Sequence, residues 1–172
     1  MTSQTTAAAT PTMMQFNSLT LAAAATAAIA ATASAGLGWP VWGMFIGWVA
    51  FFTGGHSARR AISSYLCVAL GIAFGVAAAV GVGTLLPIVD YFAFGFVVFL
   101  VAIVVVSLRA APWLNSVPAY FLGLITFFAA HVEPGLPAFL ELIAVSVLGT
   151  FAAWVAHQWQ MKIAAKRQEL AA

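Results

Sequence analysis

Long apolar segments without charged residues dominate this sequence and limit the folds open to it. Six Lys or Arg and four Asp or Glu side chains are spread over 172 residues, whereas a soluble domain of this length would carry roughly 43 charges. Charges, prolines and glycine clusters divide the chain into six apolar segments, residues 18–37, 41–55, 61–83, 91–108, 117–130 and 137–159. Their apolar runs are continuous rather than alternating, which favours helices over a membrane barrel. We therefore predict an all-α integral membrane protein with six transmembrane helices.

The two ends of the chain differ from these segments. Residues 1–17 are rich in Thr and Ala and carry no Lys or Arg, whereas a secretory signal begins with a positively charged region. We predict a mobile N-terminal tail over residues 1–17, a six-span domain over 18–160 and a basic cytoplasmic tail over 161–172.

The basic residues predict the orientation, because Lys and Arg accumulate in cytoplasmic loops. All six fall on one side of a six-span bundle, after segments two, four and six: Arg59, Arg60, Arg109, Lys162, Lys166 and Arg167. The opposite side carries Asp90 and Glu133 and no basic residue. We expect both termini to be cytoplasmic.

Segments two and five share a sequence motif. Residues 45–52 and 121–128 both read F-x-G-x-x-x-F-F, and Leu70-Gly71 in segment three corresponds to Leu148-Gly149 in segment six. A repeat of three spans runs in the opposite direction in its second copy, and inverted repeats are a transporter architecture. We predict two inverted three-helix repeats with a solute path between them, although chance similarity of apolar helices and simple packing of the Phe residues remain alternatives. The candidates for the path are Gly47, Phe51, Phe52, Gly123, Phe127, Phe128 and Glu141.

A few polar residues could serve a function. Glu141 is the one carboxylate inside an apolar segment, where it could bind a proton or a cation, or lie at the interface and be stabilised by a helix N-terminus. His131 and Glu133 are candidates for the outer mouth of a path, or for an ordinary surface turn. The candidates for the inner mouth and for an anion site are His56, Arg59 and Arg60, although topology alone also explains the arginines.

Enzymatic motifs are absent from the sequence. It contains no metalloprotease, nucleophile-elbow, phosphate-loop or dinucleotide-binding signature, and its one cysteine, Cys67, cannot form a disulfide within the chain. We predict no enzymatic activity, no cofactor and no metal. The expected partners are the lipid bilayer, a small solute and further copies of the chain, and nucleic acid is not expected.

The tryptophan-rich block Trp39-Pro40-Val41-Trp42-Gly43, followed by Phe51-Phe52-Thr53-Gly54-Gly55, resembles the bacterial inner-membrane family known as domain of unknown function 1097. That resemblance implies an inner-membrane location and supplies no catalytic residues. Ala58-Arg59-Arg60-Ala61, then Leu70-Gly71 and Gly75, also resembles the membrane half of fusaric-acid-resistance and aromatic-acid exporters. This second resemblance implies an anionic solute at the arginines, but the soluble half of such exporters is missing.

These observations favour a channel or secondary transporter for a small polar solute in the bacterial inner membrane. The solute is either an uncharged, amide-like or urea-like molecule or a small organic anion, and so small a bundle favours a homo-oligomer. The alternative is a non-transporting structural or accessory subunit of a larger membrane complex.

Overall fold

The computed structural model describes residues 13–55 and 57–171, and all regular structure in these ranges is helical. The helices are α1 (Met13–Gly36), α2 (Val41–Gly54), α3 (Ala58–Val89), α4 (Phe92–Ser107), α5 (Val117–Ala130) and α6 (Leu136–Ala171), and a 3-10 turn at Leu108–Ala110 follows α4. The all-helical prediction and the six helices are confirmed within the described part of the chain.

Helix length separates two of the six helices from the others. The helical ranges Phe16–Gly36, Ala58–Val89, Phe92–Ala110 and Leu136–Lys166 are long and apolar enough to cross a membrane. In contrast, α2 and α5 have 14 residues each, or about 21 Å, against a hydrocarbon core of about 30 Å. Of the six predicted transmembrane helices, four are therefore long enough for a full span by length and composition, and α2 and α5 are not.

Local sequence explains why α2 and α5 are short. Pro40 precedes α2 in an extended conformation, and Gly55 follows it at a φ of 101°, a value that L side chains rarely adopt. In α5, Pro118 occupies the first turn, and His131 ends the helix in the left-handed conformation at a φ of 51°. Each helix is thus stopped at both ends before it reaches the length of a full span.

Three of the long helices extend beyond their predicted bounds, among them α3, which runs from Ala58 to Val89 against the predicted 61–83. Helix α1 begins at Met13, before the predicted start at residue 18, because Met and Gln are good helix formers. Residues 13–17 of the predicted mobile tail are therefore helical, and residues 1–12 lie outside the described residues. Helix α6 runs on through the predicted basic tail to Ala171.

The helices pack as two three-helix units. Helix α2 packs most extensively on α6, which also carries α1, whereas α5 packs on α3, which also carries α4. We call α1, α2 and α6 unit A, and α3, α4 and α5 unit B, and the interface between them the seam. Each unit thus takes two helices from one half of the sequence and its third helix from the other half.

Unit A is held together at a crossing of α2 and α6 that only glycine permits. A Cβ atom at Gly47 would overlap the carbonyl oxygen of Ser146 and would lie 2.9 Å from the backbone nitrogen of Thr150. From the other side, a Cβ at Gly149 would overlap the carbonyl oxygen of Met44. The Thr150 hydroxyl donates a 3.1 Å hydrogen bond to the Gly47 carbonyl. The two backbones are therefore in direct contact, as small residues allow in membrane helices.

Unit B has an equivalent crossing between α3 and α5. A Cβ at Gly123 would overlap the carbonyl oxygen of Val68 and would lie 2.7 Å from the nitrogen of Ile72. A Cβ at Gly71 would overlap the carbonyl oxygen of Tyr120. The glycines at both crossings are those that the sequence motif pairs, so the same positions make the same contacts in the two units.

The hydrophobic core lies along the seam. Ala50 and Leu142 of unit A pack there against fully buried side chains of unit B. Hydrogen bonds between described residues cross the seam: the Ser64 hydroxyl donates to the Ala50 carbonyl at 2.8 Å, and the Tyr65 hydroxyl donates to the Ile143 carbonyl at 3.1 Å. The unit B side chains in this core include Cys67, Val68, Ile72, Tyr120, Leu124 and Phe127.

Candidate functional site

A cavity of about 420 Å³ opens at one end of the seam, where α2 ends and α3 and α5 begin. We call it the arginine cavity, because Arg59 and Arg60 line it. Its described lining residues include no carboxylate. The other polar side chains that line it are Thr53, Ser57, Ser63, Ser64, Asn115 and Ser116.

Arg59 is held in place by the loop that leads into α5. Its guanidinium carbon lies 4.0 Å from the centre of the Trp113 ring, a distance at which the cation and the ring attract each other. The Ser63 hydroxyl donates a hydrogen bond to the Trp113 carbonyl, so the same loop is also tied to α3. Together these contacts fix one wall of the arginine cavity.

Arg60 follows the cap of α3 and lies over the end of α2. The Ser57 hydroxyl oxygen accepts a 3.3 Å hydrogen bond from the Arg60 backbone N–H and so caps the helix, as serine often does. A Cβ at Gly55 would lie 2.8 Å from Cδ of Arg60. Glycine at this position therefore supplies both the unusual φ and the space for the aliphatic part of Arg60.

A second cavity, of about 240 Å³, lies at the opposite end of the seam, where α5 ends and α2 and α6 begin. We call it the glutamate cavity, because Glu141 is the charged residue among its described lining. Trp39, Trp42 and Leu142 contribute further walls from unit A, and Val132 follows α5 of unit B. Glu141 is exposed, so it faces the cavity and its opening rather than the packed core.

The two cavities have the same construction. Each is bounded by the first turns of two parallel helices and by the end of a third helix from the other unit. Between them the seam is filled by buried side chains such as Ala50 and Val68. Each cavity is therefore a recess at one end of a packed interface.

Most of the Phe and Gly residues predicted to line a path lie in helix contacts. Gly47 and Gly123 are taken up by the two helix crossings. Phe51 is buried against Ala61 and Ala153, and its partner Phe52 is half-buried. At the equivalent site of unit B, Phe127 packs on Gly75. Phe128 is 49% exposed on the outer surface of the bundle.

The described residues predicted at the inner and outer mouths of a path lie at opposite ends of the bundle. Arg59 and Arg60 come together in one cavity, as their position in the sequence suggests. His131 and Glu133 are exposed beside the glutamate cavity, whose described lining includes their neighbours Ala130 and Val132. His56 lies outside the described residues.

Sequence reasoning did not assign Trp113, Asn115 or Ser116 to a site. Trp113 is indistinguishable in sequence from a tryptophan of the membrane interface. The available signal was the run Asn115-Ser116 directly before α5, since polar residues at the start of a short apolar helix often line a recess or cap the helix. No group of three or more His, Cys, Asp or Glu that could hold a metal occurs among the described residues.

Comparison with known proteins gives one match. The family model described as "Protein of unknown function (DUF1097)" matches residues 20–160, which confirms the first of the two resemblances. No curated protein and no solved structure matches the chain. The resemblance to aromatic-acid exporters thus stays a prediction.

Proposed function

The chain belongs to the DUF1097 family of proteins of unknown function, and we propose that it is a membrane carrier for a small polar solute. In this proposal the arginine cavity and the glutamate cavity open alternately. The observation that carries it is the presence of two similarly built cavities at the opposite ends of one packed seam. A carrier needs such a pair of access points, whereas a protein that only fills space in a complex does not.

Equivalent contacts in the two units support an inverted repeat. Gly47 meets Ser146 and Thr150 just as Gly123 meets Val68 and Ile72. Chance similarity between apolar helices would not place the partners in the same register. Because each repeat has three helices, the second copy runs through the membrane in the opposite direction, and a structure built in this way can exchange one open end for the other.

The packing within and between units suggests how the cavities would open. Within each unit, backbones touch at the glycine crossings, which leave little freedom for relative movement. Across the seam, the Ser64 hydroxyl and the Tyr65 hydroxyl each make one hydrogen bond, and such bonds between membrane helices contribute about 0.6 kcal/mol on average. In this proposal unit A rocks against unit B, while the glycine crossings keep each unit rigid.

We propose that the cavities lie at the depth of the membrane, because the helices that begin at them are short. Since α2 and α5 are about 9 Å shorter than the hydrocarbon core, the first turn of each helix begins inside a recess rather than at the surface. We place the arginine cavity on the cytoplasmic side of a bacterial inner membrane, together with both termini, because the basic residues lie at that end of the bundle. We also propose that the chain forms a homo-oligomer.

Solute flux into proteoliposomes tests the proposal. We expect purified protein to accelerate the entry of at least one small polar solute, in a panel of urea, amides and short carboxylates followed by stopped-flow swelling. Protein-free vesicles and vesicles with heat-inactivated protein serve as controls. If no solute in the panel enters faster than in these controls, the carrier proposal is wrong and an accessory role in a larger complex is favoured.

Crosslinking across the seam tests the alternate opening. Thr53 of unit A and Asn115 of unit B both line the arginine cavity, so a bismaleimide joining Thr53→Cys to Asn115→Cys should hold this end closed and stop flux. The Thr53→Cys and Asn115→Cys single substitutions, which keep the buried Cys67 and cannot form this crosslink, are treated with the same reagent and serve as controls for its effect without a crosslink. Undiminished flux in the crosslinked double variant would argue against movement at the seam.

A further inference from the structure

We infer that the arginine cavity binds a compact oxyanion, recognised through a carboxylate or phosphate group, and that the transported solute is accordingly an organic anion. This inference rests on the proposed carrier function. It selects between the uncharged and the anionic solute classes, which the sequence leaves open. The first ground is charge: Arg59 and Arg60 are among the residues that line the cavity, and its described lining includes no carboxylate to balance their two positive charges.

The carboxylates of the chain lie elsewhere. Asp90 follows the far end of α3, and Glu133 and Glu141 lie near the start of α6, all at the other end of the bundle. Glu169 is at the same end as the arginines, but it lies about 18 Å further along α6 than His157, whose ring is 6.0 Å from that of Phe51. A bound anion would therefore supply the countercharge that the protein does not place in the cavity.

Hydrogen-bond donors for an oxyanion remain on Arg59 and Ser57. The hydroxyls of Thr53, Ser63 and Ser64 donate their single proton to backbone carbonyls and so can only accept a hydrogen bond from a ligand. Stacking of Arg59 on Trp113 uses the face of the guanidinium and leaves N–H donors at its edge. Ser57 accepts a hydrogen bond, so its own proton remains for a ligand.

The glutamate cavity has the opposite charge. Glu141 is there, and the described lining includes no Lys or Arg. An oxyanion should therefore bind more tightly from the arginine side than from the glutamate side. This difference predicts loading at the arginine cavity and release at the glutamate cavity when the two ends open in turn.

Calorimetric titration of the detergent-solubilised protein with two matched probes tests the charge of the ligand. Succinate and succinamide share one heavy-atom skeleton and differ in charge. We expect succinate to bind, succinamide to bind at least about tenfold more weakly, and Arg60→Gln to weaken succinate binding by about 10- to 100-fold. Arg109→Gln is the matched control, because Arg109 is exposed at the same end and lies outside the described cavity lining. Equal binding of the two probes, or equal effects of the two substitutions, would overturn the inference.

Further measurements distinguish loss of ligand binding from loss of folding, from competition by lipid and from loss of transport. Arg60→Lys keeps the charge and should restore most of the succinate affinity, whereas a loss as large as in Arg60→Gln would assign Arg60 to structure. Titration of succinate into protein in nanodiscs identifies the source of the oxyanion. If succinate binds in phosphatidylcholine nanodiscs but not in phosphatidylglycerol nanodiscs, the anionic lipid headgroup occupies the site, and the assignment to a soluble anion is overturned. If succinamide is transported and Arg60→Gln does not change its flux, the anion site is rejected and the carrier proposal is retained. Succinate binding without flux of any solute would instead reject the carrier.

Discussion

Replacement of Gly47 by alanine should separate α2 from α6 and destabilise unit A. The added Cβ would overlap the Ser146 carbonyl oxygen and would lie 2.8 Å from its carbonyl carbon, whereas ordinary contacts begin near 3.4 Å. The carbonyl carbon alone thus requires the helices to move apart by about 0.6 Å, and a gap of this size forfeits roughly a quarter to a half of the dispersion energy across the contact.

The magnitude follows from three contributions. Overpacking of this kind costs about 1–3 kcal/mol, and weakening the 3.1 Å hydrogen bond from Thr150 to the Gly47 carbonyl adds about 0.6 kcal/mol. Alanine offsets about 1 kcal/mol of this cost, because its helix propensity is higher than that of glycine. We therefore expect a net loss of about 0.6–2.6 kcal/mol in the free energy of unfolding.

Reversible unfolding in mixed micelles, followed by circular dichroism, measures this loss. Gly95→Ala is the matched control, because a Cβ there meets nothing within 4 Å, and it should be neutral or stabilising by up to about 1 kcal/mol. Gly123→Ala, at the equivalent crossing of unit B, should cost as much as Gly47→Ala to within about 1 kcal/mol. If Gly47→Ala is as stable as Gly95→Ala, the close crossing of α2 and α6 is refuted. If Gly47→Ala and Gly123→Ala differ widely in their loss of stability, the equivalence of the two crossings is refuted.

Three further predictions concern single side chains. Phe51→Ala should lower the free energy of unfolding by about 3–5 kcal/mol because Phe51 is buried, and Phe128→Ala should lower it much less because Phe128 is 49% exposed. If Phe51→Ala instead widens solute selectivity and leaves stability unchanged, Phe51 lies on the solute path. Tyr65→Phe removes the hydrogen bond to Ile143 and should cost about 0.6 kcal/mol in thermal unfolding, with exposed Tyr91→Phe unchanged. If Glu141 carries a proton during transport, Glu141→Gln should abolish the pH dependence of the flux of an uncharged solute, and an unaltered profile would exclude that role.

The helices could be predicted because their signals are local. Charges, prolines and glycines between apolar segments mark most boundaries, including Pro40 before α2 and Ser57 at the start of α3. Helix pairing could not be predicted in the same way, because apolar helices carry little information about which face meets which neighbour. The motif identifies Gly47 and Gly123 but not their partners, since each glycine contacts a helix from the other half of the sequence.

The candidate site was predictable only in part. Arg59 and Arg60 are adjacent in sequence at the start of a helix, so their meeting in one recess follows from local structure. Trp113 reaches the same recess through contacts with α3, since Ser63 bonds to its carbonyl and Arg59 lies over its ring. Contacts of this kind depend on the tertiary arrangement, which no local pattern of residues encodes.

The composition of the two units has a consequence for synthesis of the protein. Unit B is continuous in sequence and can be completed as soon as α5 has left the ribosome. Unit A cannot, because the Thr150 to Gly47 hydrogen bond joins residues 103 positions apart, so α2 waits roughly 5–20 s for α6 at ordinary elongation rates. During this interval the short helix α2 must be held in the bilayer by α1, by unit B or by the insertion machinery. Ribosome-bound chains that end before α6 should therefore expose Gly47 to lipid or to a chaperone.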